Sequence, residues 1–96
     1  MNKSELIEQV HFDLQSRGFD VTKKQVKQTV ESTMDVVQDA IISGEGFAYP
    51  KFGTFKTNVR AAYTGHNPAK GEPVEVPAAT VVKFKPSTVL KGRLNS

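Results

Sequence analysis

The apolar rhythm of the chain changes once, at Gly44. Before it, Leu6, Ile7, Val10 and Leu14 share one face at helical spacing, and Val26, Val30, Met34, Val37 and Ile41 do so again. After it, Phe55, Thr57, Val59 and Ala61 alternate with Lys56, Asn58 and Arg60, the two-residue period of a half-buried strand. Helices followed by strands within 96 residues fit one small α+β domain. The chain has no cysteine, which excludes disulfides, thiolate metal sites and cysteine catalysis. Its apolar runs are only a few residues long, so no helical membrane span is expected, and the polar start lacks the apolar stretch of a signal peptide.

Local signals bound the helices. Asn2 is positioned to cap the first, with Glu5 returning a bond to the N–H of the cap. Gly18, within the Gln15–Asp20 break, stops it. Thr22-x-x-Gln25 is a second capping box, and Val21 with Val26 makes the matching hydrophobic staple. The helix that follows runs about 20 residues, or ~30 Å, to Gly44. Val36 and Ile42 widen its apolar surface beyond what a first helix of ~20 Å covers. A second copy, in a symmetric homodimer, is the preferred cover; the alternative is the sheet of the same chain.

In the second half Phe47 and Tyr49 form a short strand turned by Pro50. Phe52 to Tyr63 reads as a longer strand, and Val74 to Phe84 as its antiparallel return. Val74, Val76, Ala78, Val82 and Phe84 share the apolar side, and Lys83 and Lys85 face the other way. A short last helix begins near Pro86 and uses Val89, Leu90 and Leu94. The expected architecture is two N-terminal helices, a three-stranded antiparallel sheet with a protruding β-arm, and a short C-terminal helix.

Charge divides along the same line. Residues 1–45 carry five basic and eight acidic residues, a net of −3; residues 46–96 carry eight basic and two acidic, a net of +6. Such asymmetry suits a scaffold half and a polyanion-binding half, although a solvated basic face fits the same numbers. One face of the expected sheet presents Lys56, Arg60, Lys83 and Lys85, with Asn58 among them. The ten residues from Thr64 to Pro73 hold no large apolar side chain, so they cannot bury themselves and must protrude. A two-stranded ribbon fits a nucleic-acid groove, and Pro68 near its tip, apolar and without an N–H, suits a wedge between base pairs. A surface loop with a turn-forming Asn-Pro pair is the alternative.

Lys51-Phe52-Gly53-Thr54-Phe55, Arg60-Ala61-Ala62 and Thr64-Gly65-His66-Asn67-Pro68 together resemble the histone-like HU/IHF family of DNA-bending proteins. The opening Met1-Asn2-Lys3-Ser4-Glu5-Leu6-Ile7 and the return-strand segments Val74-Glu75-Val76-Pro77-Ala78 and Phe84-Lys85-Pro86 are similar to the family as well, so the resemblance spans nearly the whole chain. It implies an intertwined dimer whose two arms clasp the DNA minor groove. By position, Pro68 matches the intercalating proline and Asn67 the residue before it. Arg60 matches an arm-base cation, Lys85 and Lys91 match basic residues near the last helix that hold flanking phosphates, and Lys3 matches one at the start of the first helix. The chain departs from the family pattern at Tyr63, where arginine or a small hydroxyl residue is usual, and at His66, where arginine is common; Lys70 restores one charge where threonine is common. The Gln15–Asp20 turn is longer than usual. Tyr63 is suited to stacking on sugars or bonding a phosphate.

The reading that results is one HU/IHF-like domain over 1–96, with a helical dimerisation part (1–45) and a DNA-binding sheet, arm and last helix (46–96). Such a chain is expected to bind and bend double-stranded DNA with low sequence specificity, associated with a bacterial nucleoid or a phage or plasmid genome in the cytoplasm. Its partners are DNA and a second copy; no cofactor, metal, small-molecule substrate or membrane is expected. A module that grips RNA or a protein with the same arm is the alternative. Enzyme chemistry has little to stand on: His11 and His66 are far apart, Glu72 and Glu75 read as solvated charge, and no nucleophile–base motif or phosphate-cradling glycine loop occurs.

Overall fold

The structure, a computed structural model, describes residues 1–66, Ala69 and 71–96. In chain order it forms α1 (Lys3–Ser16), α2 (Lys23–Ile42), β1 (Phe47–Tyr49), β2 (Gly53–Arg60), β3 (Tyr63–His66), β4 (Pro73–Val76), β5 (Ala79–Pro86) and α3 (Thr88–Leu94). These elements divide into two compact units, Met1–Asp39 and Ala40–Ser96.

In the first unit the caps are made by side chains. The Asn2 Oδ1 accepts the Glu5 N–H at 3.0 Å. Glu5 answers through the side chain of the cap rather than its N–H: Oε1 accepts from Asn2 Nδ2 at 3.2 Å. At α2 the box is complete, with Gln25 N–H donating to Thr22 Oγ1 at 3.1 Å and Thr22 N–H to Gln25 Oε1 at 2.9 Å. α1 ends in a Schellman turn. Gly18 takes a φ of +88°, its N–H reaches the Gln15 carbonyl, and the Phe19 N–H reaches Leu14. His11 Nε2 donates to the Val21 carbonyl at 3.0 Å, tying the α1–α2 connection to the first helix. Ile7 and Val26 are the buried apolar side chains of this unit. Lys3–Glu31 (3.2 Å) and Lys23–Glu8 (3.0 Å) bridge the helices at the surface, where such pairs contribute up to about 1 kcal/mol each.

In the second unit β1, β2 and β5 form an antiparallel sheet in the order β1-β2-β5, and β3 pairs with β4 in a separate ribbon. The register sets Phe47 and Phe84 opposite Phe55, so the three rings fall on one face. Phe55 and Phe84 lie 4.6 Å apart centroid to centroid, and Phe52 lies 5.3 Å from Phe84. The two long strands expected from the sequence are each interrupted. β2 stops at Arg60 and β3 starts at Tyr63, while β4 stops at Val76 and β5 starts at Ala79. The breaks face each other, since Arg60 pairs with Ala79 and Tyr63 with Val76. Pro77 has no N–H to give the ladder, so pairing lapses there and the arm becomes its own ribbon. The last helix also starts later than expected. Pro86 completes β5, and Ser87 caps α3 by accepting the Leu90 N–H at 3.0 Å.

Candidate nucleic-acid interface

Alternation along β2 and β5 sends one set of side chains to the side opposite the phenylalanines. Thr54 pairs with Lys85, Lys56 with Lys83, Asn58 with Val81 and Arg60 with Ala79. Lys56, Asn58, Arg60, Lys83 and Lys85 therefore share one exposed face, as the sequence reading requires. Lys56 and Lys83 stand directly across from one another, and like charges in that position repel. An anion laid over them would relieve that repulsion.

Arg60 stands where the sheet gives way to the arm. Its guanidinium lies 5.5 Å from the centroid of the Tyr63 ring, and Nη2 donates to the Pro77 carbonyl at 3.4 Å. One side chain thus reaches both interrupted strands. The contact to Tyr63 is a cation–π pair, which the sequence reading did not identify.

On the ribbon, Tyr63 and Gly65 share a face with Val76 and Val74; Thr64 and His66 share the other with Glu75 and Pro73. Tyr63 and His66 therefore point to opposite sides of the arm. Asn67, Pro68 and Lys70 lie outside the described residues. Lys91 lies exposed on α3, whose last turn also carries Arg93. Lys3 belongs to the helical unit, where its ammonium group is paired with Glu31. The structure thus brings five of the expected residues onto one face of the sheet and sets Tyr63 beside Arg60, while His66 stands on the arm, Lys91 on α3 and Lys3 on α1.

Sequence reasoning passed over Lys51. It is exposed on the β1–β2 turn and lines a groove with Thr54, Lys85 and Thr88. The sequence signal was present, because Lys51 opens the Lys51-Phe52-Gly53-Thr54-Phe55 run already recognised as part of the signature. Among the described residues no three His, Cys, Asp or Glu side chains gather as a metal site would need, and no helix is long and apolar enough to cross a membrane.

Comparison with known proteins gives the same assignment. The family model described as "Bacterial DNA-binding protein" matches residues 1–95. The chain is 42% identical over 91 residues to the SPbeta prophage-derived DNA-binding protein HU 2 of Bacillus subtilis, covering 95% of this chain and 94% of that one. It is 34% identical to the integration host factor subunit beta of Psychromonas ingrahamii, over 100% of this chain and 97% of that one. Among solved structures, the Anabaena HU–DNA cocrystal structure superposes with a TM-score of 0.82 at 30% identity, covering 98% of this chain and 97% of that one. Sheet, arm, helix order and sequence agree, and the chain belongs to the bacterial DNA-binding protein family that includes HU and integration host factor.

Proposed function

We propose that the chain is an architectural DNA-binding protein, acting as a homodimer that clasps double-stranded DNA in the minor groove, bends it and compacts it with low sequence specificity. The observation that carries this is the exposed face of Lys56, Asn58, Arg60, Lys83 and Lys85, which leads at Arg60 into a two-stranded ribbon. Lysines and Arg60 neutralise phosphates and release counterions, which supplies affinity independent of sequence. Smoothly bending a site costs about 1–6 kcal/mol, offset by the added contacts that a bend permits. Choice among sites then follows from how easily each sequence deforms.

In this reading Lys3, Lys85 and Lys91 hold flanking phosphates, and Lys56, Lys83, Asn58 and Arg60 line the path to the arm. Tyr63, His66 and Lys70 contact the backbone along the arm, while Asn67 and Pro68 form the tip that enters the groove. The helical part (1–45) supplies the dimer face and residues 46–96 the DNA-binding face. Exposed apolar residues on α2 support the homodimer: Val36 is 65% exposed and Ile42 80%. Placement on a bacterial nucleoid or a phage genome is supported by relatives of both kinds, including DNA-binding protein HU 2 of Bacillus phage SPbeta. Membership in a DNA-binding family sets the chain among binding proteins rather than enzymes.

The test is end-to-end energy transfer on a doubly labelled DNA duplex, with an RNA duplex of the same sequence alongside. Salt-dependent binding with a rise in transfer on DNA, and weaker binding to RNA, supports the proposal. The A-form minor groove is wide and shallow, so a clasping arm discriminates between the two. Equal binding without a change in transfer would refute it in favour of a general polyanion or RNA grip.

A further inference from the structure

Among the described residues Lys51 is the one non-glycine with a left-handed backbone, at φ +66°. It is the third residue of a turn closed by the Phe52 N–H on the Tyr49 carbonyl at 3.2 Å, with Pro50 second. Proline second and a positive φ third make a type II turn, in which glycine or asparagine is the ordinary third residue. A lysine there crowds its own Cβ against the following carbonyl oxygen. The turn itself needs no side chain at this position, and glycine would close it with less strain. Strain of this kind persists where the surroundings and the use of the side chain require it.

Lys51 and Lys85 line the same groove, with Thr54 and Thr88. Among the described residues neither lysine has an ion-pair partner. The groove lies at the end of β2 away from the arm, because β2 runs from Gly53 to Arg60 and β3 departs beyond Arg60. At ~3.3 Å per residue, β2 from Arg60 back to Gly53, beside the groove, spans about 23 Å. That is the length of roughly 7 base pairs at 3.4 Å each.

We propose that Lys51, together with Lys85, holds a phosphate on the flank of the bound duplex, well away from the arms. The inference rests on the DNA-bending reading, which already gives Lys85 a flanking phosphate, and adds Lys51 to that contact. The strained turn is retained because it presents this ammonium group to the flank.

The test compares wild type with Lys51→Gly, Lys51→Arg and Lys85→Ala on two duplexes. One is about 12 base pairs, too short to reach the groove from the arms, and one about 40, at one helical step per 3.4 Å. On the long duplex Lys51→Gly should flatten the slope of log K against log salt by ~0.9 per chain, and Lys51→Arg should retain the wild-type slope. On the short duplex Lys51→Gly and Lys51→Arg should bind as wild type does. The melting temperature of Lys51→Gly should equal or exceed that of wild type, so that lost binding is not lost folding. A wild-type slope for Lys51→Gly on the long duplex overturns the phosphate site, and equal losses on both duplexes overturn its placement on the flank. If wild type binds neither duplex, the DNA-binding reading itself falls, and Lys85→Ala will be equally silent.

Discussion

At Gly53 the sheet leaves no room for a side chain. A Cβ there would lie 2.6 Å from the Lys85 carbonyl oxygen and 2.6 Å from a ring carbon of Phe84. The first neighbour is backbone and cannot rotate away. Gly53→Ala should therefore cost about 1–3 kcal/mol, as overpacking does, measured by urea unfolding. Gly92, inside α3, has nothing within 4 Å of the added carbon. Gly92→Ala should stabilise by roughly 0.5–1 kcal/mol in the same assay, because alanine gives up less backbone freedom in a helix. Two glycine substitutions of opposite sign separate steric closure from intrinsic propensity. Pro68 belongs to the same scale by a different argument. Its ring adds neither phosphate contact nor base-edge hydrogen bond, so its work in the proposed complex is to fill the gap where a base step unstacks, at a cost of a few kcal/mol. Pro68→Ala should keep the salt dependence, lose much of the bend, and lose the preference for nicked DNA, where unstacking is already partly met. Energy transfer on intact and nicked duplexes checks it, and equal bending of both by both proteins would reduce Pro68 to a turn residue.

The elements differ in how much of themselves the sequence discloses. The α2 cap was legible because it is local: Thr22 and Gln25 are three residues apart, and both bonds of the box form. Gly18 was legible for the same reason, since a left-handed stop needs nothing from distant parts of the chain. The alternation of β2 also disclosed which side of the sheet is basic, and with it most of the candidate interface. The division of sheet from arm was not legible. It depends on which rung of one strand meets which rung of the other, and only the pairing of Arg60 with Ala79 and Tyr63 with Val76 sets the two breaks opposite. The Arg60–Tyr63 contact was hidden with it, because a continuous strand puts those residues on opposite faces. That contact braces the joint. An exposed cation–π pair contributes about 0.5–1 kcal/mol, so replacing the ring should raise amide exchange rates in the arm roughly two- to fivefold. Tyr63→Leu should show the rise across β3 and β4, and Tyr63→Phe, which keeps the ring, should not. Equal behaviour of the two variants would assign Tyr63 no part in holding the arm.

At the scale of the whole molecule the shortage of buried apolar surface is the governing fact. Among the described residues only Ile7 and Val26 are buried apolar side chains, and Met34, Val36, Ile42, Phe52 and Phe84 are all exposed in the single chain. A chain of 96 residues has little core to spare, and Met34, Val36 and Ile42 lie on α2, which the proposed homodimer would cover. If the chain folds only as it pairs, unfolding releases two chains from one dimer, and mass action makes stability depend on concentration. Each tenfold rise in protein then adds about 1.5 kcal/mol near 60 °C, the value of RT ln 10. Two 96-residue chains unfold with an entropy of roughly 0.4 kcal/mol/K, from ~2.1 cal/mol/K per residue. The melting temperature should accordingly climb about 4 °C for every tenfold increase in concentration, read by calorimetry across two decades. Sedimentation should report twice the mass of the chain throughout that range. A transition that stays put while the concentration changes, with the mass of a single chain, would mean that the exposed face of α2 is covered by something other than a second copy.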